Sequence, residues 1–274
     1  MGYATDRSTL ISAPCTRAAG KHPDRRIGMD TVESRQERSG VGQGIAARTA
    51  GWTFDGAVAD SFVDHIRQSV PWYEAGHDLT CRLSEYFVHD DSVCYEIGTS
   101  TGELLRKLAL HHRAKPSVRW IGIDRVGPMI EKARSHCAGI PNVELVVDDV
   151  VTYPYERADL IVSYYTVQFI HPKLRQDLIN RLYERLNWGG ALLLFEKVRG
   201  PDARFQDMMI SMYDDYKRRQ GFEPEEILNK TASLKGVLEP FSREGNLGLL
   251  RRAGFTDIST FMKYICFEGF VAIK

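Results

Sequence analysis

Residues 92–105 read SVCYEIGTSTGELL. A short apolar run passes into a glycine turn and then into a stretch with apolar residues at helical spacing. That is the pattern of a strand feeding a turn that opens a helix. Ligands of open α/β sheets bind outside the carboxyl ends of the strands, so this turn marks a binding edge. A dinucleotide fingerprint would space its glycines G-x-G-x-x-G around a pyrophosphate. Here the spacing is Glu96-x-Gly98-x-x-x-Gly102, with Thr99 and Ser100 between the glycines.

A carboxylate two places ahead of Gly98 is unfavourable beside a pyrophosphate and favourable beside a cation. Opposite charges ~4 Å apart attract by about 4 kcal/mol at an effective dielectric near 20. The turn therefore points to a cationic nucleotide. S-adenosylmethionine, which carries an ammonium and a sulfonium, fits, with the glycines clearing room for its amino-acid tail. Taken alone, the motif is equally compatible with a structural glycine turn. Asp124 closes the next apolar run, VRWIGID, where a carboxylate can take both ribose hydroxyls; it would also cap the helix that follows. Asp149, beside Asp148, closes VELVVDD and can accept from an adenine amino group, or serve as a loop acid. Three acids at three successive strand ends share one edge, which favours the cofactor reading.

Outward from this stretch, strands and helices alternate. The helix TGELLRKLALHHRA precedes VRWIGID, VGPMIEKARSHCAG precedes VELVVDD, and ADLIVSYYTVQFI is followed by the helix PKLRQDLINRLYERLN and the strand GGALLLFEKV. Nearly continuous apolar strands between amphipathic helices predict a parallel sheet covered on both faces. Ahead of it, Phe62, Ile66 and Val70, then Leu79, Leu83 and Phe87, recur at helical spacing around a VPWY corner. Behind it, residues 201–245 read as a helical lid insertion. The C-terminal stretch has a helix closed by Gly254 and two strand-like runs around Glu268-Gly269 that pair as an antiparallel hairpin. Residues 1–50 read as a flexible arm with a docking segment at STLISAP, and 51–274 as one cofactor-binding domain.

The chain has 274 residues, with Lys plus Arg equal to Asp plus Glu at 36 each. That balance gives no basic stripe and argues against nucleic acid as a direct partner. Five widely spaced cysteines, with no Cys-x-x-Cys pair, point neither to a metal site nor to a disulfide framework. No apolar run reaches the ~18 residues of a membrane span, and the expected location is the cytoplasm.

With these residues in place, the chain resembles the class I S-adenosylmethionine-dependent methyltransferases. It is more similar still to one branch, the carboxy-S-adenosylmethionine synthases of tRNA wobble-uridine modification. The likeness covers residues 46–274 and includes WTFD (52–55), SVPWY (69–73), TVQFI (166–170), LNWGGALLLFEK (186–197) and DYKRRQGF (215–222). It implies a Rossmann-like, mostly parallel seven-stranded sheet with an antiparallel C-terminal strand, and a homodimer. It places cofactor contacts on Tyr73, Gly98, Thr99, Ser100, Asp124, Arg125, Asp149 and Val150, with Glu96 and Gly102 of the turn beside them. Two departures stand out. Where the family has an asparagine in NFTLQF, this chain has Tyr164 in SYYTVQF; where it has an arginine after a lysine in QKRSML, this chain has Lys230-Thr231. The resemblance assigns that arginine to the extra carboxylate of the carboxylated cofactor.

The departures favour ordinary S-adenosylmethionine and a methyl transfer to a small molecule, amino-acid-like or nitrogen-bearing, in specialised metabolism. The alternative is the family activity, with prephenate as carboxyl source; a third reading is a non-catalytic cofactor-binding protein. The nucleophile would approach beyond strands four and five, near Tyr164, Tyr165, His171, Glu196 and Lys197, under a lid carrying Tyr213, Asp214, Asp215 and Tyr216. Glu196 is a candidate for proton removal, or a solvated strand-end acid. His171 is a candidate acid or base, or a helix cap. Tyr165 and Tyr213 are candidate pocket tyrosines, and YDDYKRR reads as a solvated helix face.

Overall fold

A computed structural model describes residues 58–274. The expected arm with its STLISAP segment, the WTFD stretch and the side chain of Phe62 lie outside the described residues. Among the described residues two helices come first, α1 (Val58–Ser69) and α2 (Tyr73–Ser84). Pro71 cannot continue the helical hydrogen-bond ladder, and Trp72 turns the chain with φ 57°. The second helix stops at Ser84, short of Phe87, which enters the core from the turn that follows.

The alternation then runs through β1 (Val93–Ile97), α3 (Glu103–His111), β2 (Arg119–Asp124), α4 (Gly127–His136), β3 (Val143–Val147), β4 (Ala158–Tyr164), α5 (Pro172–Arg185) and β5 (Leu186–Lys197). These five strands are parallel, in the order 3-2-1-4-5. From β1 the chain winds outward to β2 and β3, then returns to the other side of β1 as β4. The order reverses there, which opens a crevice at the carboxyl edge. The insertion supplies α6 (Ala203–Arg219) and α7 (Pro224–Ser233), started by Asp202 and by the Glu223–Glu226 capping box. Next comes α8 (Arg243–Ala253), closed by Gly254 at φ 117°.

β6 (Asp257–Tyr264) and β7 (Phe267–Ile273) form the expected hairpin, with β7 inserted antiparallel between β5 and β6. Its turn falls at Ile265-Cys266, however, and not at Glu268-Gly269. Gly269 sits inside β7, where a Cβ would come 2.5 Å from the Phe195 ring. The glycine permits a close approach between strands rather than a reversal.

Two apolar layers cover the sheet. Trp120, Val162, Leu193 and Phe195 pack on one face with α3 residues such as Leu105. Ile121, Ile161, Leu192 and Leu194 pack on the other with Leu178 and Leu182 of α5 and Leu250 of α8. Because side chains alternate along a strand, Glu196 continues the Leu192–Leu194 side of β5 and Lys197 the Leu193–Phe195 side. No helix among the described residues is long and apolar enough to cross a membrane.

Candidate active site

The glycine turn is held from beneath. The amides of Gly98 and Thr99 both donate to the Ile123 carbonyl, at 2.7 and 3.0 Å. Gly98 lies at φ 70°, and a Cβ there would fall 2.2 Å from Oγ1 of Thr166, itself bonded to the Ile97 carbonyl at 3.0 Å. Gly102 lies at φ 75°, and a Cβ there would meet the Ala133 methyl at 2.9 Å. The glycines thus clear room for Thr166 and for α4. Thr166 gave no local signal in the sequence, because its hydrogen-bond partner is 69 residues away in the chain.

Glu96 is corrected. It is 3% exposed; its Oε2 accepts from Thr99 Oγ1 at 2.6 Å, and the Leu105 amide in the first turn of α3 bonds the same carboxyl. Burial pushes this carboxyl up to about 8 against those hydrogen bonds, so it is protonated at neutral pH. Glu96 braces the turn from beneath.

Asp124 stands where the sequence placed it. Its Oδ2 accepts from the Ser100 amide and its Oδ1 from the Val126 amide, each at 2.9 Å. Burial raises its carboxyl, and the amides of Val126, Ser100 and Arg125 oppose that rise. With roughly four acceptor sites, the carboxylate keeps room for a ribose hydroxyl beside those three amides; the capping alternative fails, because the N-cap of α4 is Val126 and it has no side-chain cap bond. Ser100 sits at φ 51°, an uncommon conformation for a residue with a side chain. Asp149, exposed at the end of β3, accepts from the Val151 amide at 2.8 Å, next to buried Val150; Arg125 is exposed. Strand ends β1, β2 and β3 therefore bring Ser100, Asp124 and Asp149 to one edge, and their acceptor set fits an adenosine.

Across the crevice stands a neutral aromatic wall. The Tyr164 phenol donates to the Tyr73 carbonyl at 2.8 Å. It occupies a niche at Gly76, where a Cβ would lie 2.1 Å from the phenol oxygen. The rings of Tyr73, His77 and Tyr164 lie 4.5–5.4 Å apart. His77 is fully buried, and burial brings its imidazole down to about 3. Uncharged ring faces in this position suit a sulfonium.

Beyond β4 and β5 the expected catalytic residues separate. His171 is the N-cap of α5; its Nδ1 accepts from the Lys173 amide at 3.2 Å, so the capping reading replaces the catalytic one. Glu196 is 1% exposed on the α5 side, facing Arg175 and taking the backbone amides of Val167 and Gln168; burial raises its carboxyl to about 8. It secures the turn after β4, with Arg175 donating to the carbonyls of Ile170 and Gln168. It is not a solvated acid, and its Oε1 is buried without a hydrogen-bond partner among the described residues.

On the other side of β5 the lid shows its inner face. Tyr213 donates to the Ser69 carbonyl at 2.8 Å, and two ammonium groups approach its ring, Lys197 at 4.4 Å and Lys217 at 4.5 Å. Lys217, expected on a solvated face, is buried and paired with Asp214 at 2.7 Å. Lys230 reaches Ser69 Oγ at 2.7 Å and the His65 imidazole; burial and the neighbouring lysines bring it down to about 7. Tyr165 is buried at φ 60° with its hydroxyl unpartnered among the described residues. The inner lid is basic and aromatic, whereas an acidic one was expected.

Residues 95–190 match the model of a methyltransferase domain. The solved apo structure of the S-adenosylmethionine-dependent methyltransferase SibL has a TM-score of 0.54 at 17% identity, covering 78% of this chain and 58% of that one. The strand order and the acid-edged glycine turn, with these matches, define a class I S-adenosylmethionine-dependent transferase. Its more specific relatives are carboxy-S-adenosyl-L-methionine synthases. That of Staphylococcus epidermidis is 35% identical over 224 residues, 81% of this chain and 97% of that protein. That of Campylobacter lari is 32% identical over 222 residues, 81% of this chain and 94% of that protein. The chain belongs to this family, and its cofactor is S-adenosyl-L-methionine.

Proposed function

We propose that the enzyme makes carboxy-S-adenosyl-L-methionine, replacing one hydrogen of the cofactor's methyl group with the carboxyl group that prephenate gives up; prephenate aromatises to phenylpyruvate as its hydroxide leaves, and that hydroxide carries off the methyl proton as water. The observation that carries this reading is the sign of the charge across from the cofactor edge. Lys197 and Lys217 approach the Tyr213 ring there, Lys230 bonds the hydroxyl of Ser69, whose carbonyl Tyr213 also bonds, and the nearest lid acid, Asp214, is already paired. A cationic, nitrogen-bearing acceptor would be repelled by this wall, whereas an anionic second reactant is drawn to it. Asp124, Ser100 and Asp149 would hold the adenosine, and Tyr73 with Tyr164 the sulfonium side. Bound there, S-adenosyl-L-methionine supplies a carbon activated by its sulfonium. The chain's own part is to hold that carbon against the basic wall and exclude water.

One observation favours a second reading, plain methyl transfer to an anionic small molecule. Thr231 is exposed, and its hydroxyl donates to the Ile227 carbonyl of its own helix at 2.7 Å. It offers no cation where the resemblance expects arginine. Mass spectrometry of the cofactor after incubation with S-adenosyl-L-methionine and prephenate decides between them. A species heavier by a carboxyl group is the expected result; unmodified cofactor at full occupancy would leave the methyl-transfer reading standing.

A further inference from the structure

Two hydrogen-bond donors in the basic wall are left unspent. Among the described residues, the Lys197 ammonium makes no hydrogen bond or ion pair; it meets only the ring faces of Tyr213 at 4.4 Å and Phe267 at 6.0 Å. The Tyr165 hydroxyl is buried with no partner. The two belong to neighbouring strand ends. The Tyr165 amide donates to the Phe195 carbonyl at 2.8 Å, two residues before Lys197, and the Tyr165 ring lies 5.7 Å from that of Phe267. We propose that Lys197 and Tyr165 together hold a carboxylate of the second reactant. The proposal rests on the anionic-reactant reading above and assigns the residues that anchor it.

The chemistry of the pair selects the ligand. An ammonium has three donors and no acceptor, and a carboxylate has acceptors only, so a carboxylate satisfies both buried groups through charge-assisted bonds. Among the described residues no neighbour satisfies both: Glu196, whose charge acts on Tyr165, lies on the other side of β5 from Lys197. Asp214 is committed to Lys217 at 2.7 Å, and burial pushes the nearby Cys266 thiol up, keeping it neutral. Burial lowers the Lys197 ammonium in the absence of an anion, and raises the Tyr165 phenol so that it stays a donor. Tyr165 also holds a left-handed backbone, φ 60°. Strain of that kind in a side-chain-bearing residue collects at ligand sites.

The test uses the whole protein saturated with S-adenosylhomocysteine, titrated calorimetrically with phenylpyruvate and with malonate. Wild type is expected to bind at least one of these acids saturably. Tyr165→Phe, which removes only the hydroxyl, should weaken that binding roughly tenfold, and Lys197→Met up to roughly a hundredfold, the range for bonds to charged groups. Affinity for S-adenosylhomocysteine should stay within about twofold in both variants, an outcome that a general packing defect would not give. Should Lys197→Met fail to fold, Tyr165→Phe carries the test. Absence of acid binding by the wild-type complex, or equal binding by the variants, overturns the proposal. Failure of S-adenosylhomocysteine itself to bind would instead overturn the cofactor site, so the two failures are distinct.

Discussion

The two halves of the crevice spend their polar groups in opposite ways. At the ends of β1–β3, Glu96, Thr99, Ser100 and Asp124 are tied to one another and to backbone amides at 2.6–2.9 Å. Beyond β4 and β5, under α6, lysines and tyrosines are buried with ring faces for neighbours and donors to spare. The first half is rigid before any ligand arrives, as a preorganised cradle must be. In the second, Asp214 offsets the buried charge of Lys217 and Ser69 bonds Lys230, but the Lys197 ammonium has only ring faces beside it among the described residues, a costly arrangement. On the proposed reading, the cofactor meets a finished surface and the co-substrate an unfinished one.

Gly98→Ala should break the comparison most severely. The new methyl would overlap Thr166 at 2.2 Å in a backbone at φ 70°, and overpacking plus left-handed strain together cost about 3 kcal/mol or more. A large fall in melting temperature and loss of S-adenosylhomocysteine binding are expected in calorimetry. Next is Gly76→Ala, which drives a methyl to 2.1 Å from the Tyr164 phenol at about 1–3 kcal/mol. Tyr164→Phe in the same chain should recover much of that loss, and a double-mutant cycle by chemical denaturation would read the coupling.

Glu196→Gln sharpens the contrast through pH. The folded carboxyl, at about 8 instead of the ordinary 4.5, keeps its proton where the unfolded chain has released it. Wild-type stability from this group is therefore complete below about 4.5 and declines as pH rises toward 8. The glutamine variant has no such decline. Its melting temperature relative to wild type should climb between pH 5 and pH 8.5; a flat difference would mean that Glu196 is ionised in the folded state. His171→Ala should matter least, costing about 0.5 kcal/mol for the lost cap with kcat unchanged, because its imidazole bonds its own helix.

Much of the cofactor half was legible before the structure. Gly98, Gly102 and the apolar run before them set the strand-turn-helix unit, and Asp124 and Asp149 were placed correctly because the end of a strand is a local property. The mostly parallel seven-stranded sheet and its antiparallel C-terminal strand followed from the alternation and from the resemblance, whereas the strand order did not. What misled was burial. Glu96 reads as a charge in a row of acids, but the packing of α3 over it makes it neutral. Gly269 reads as a turn until the Phe195 ring on the adjacent strand is seen.

Spacing along the chain settled the elements, their succession and the edge at which a cationic nucleotide is met, since periodicity and turn chemistry act over a few residues. Packing alone decided which side of β5 Glu196 and Lys197 each face, and that Lys197 and Lys217 converge on the Tyr213 ring. Such convergence joins residues from β5 and α6, and the desolvation that shifts their charge depends on every atom around them, which no local pattern encodes.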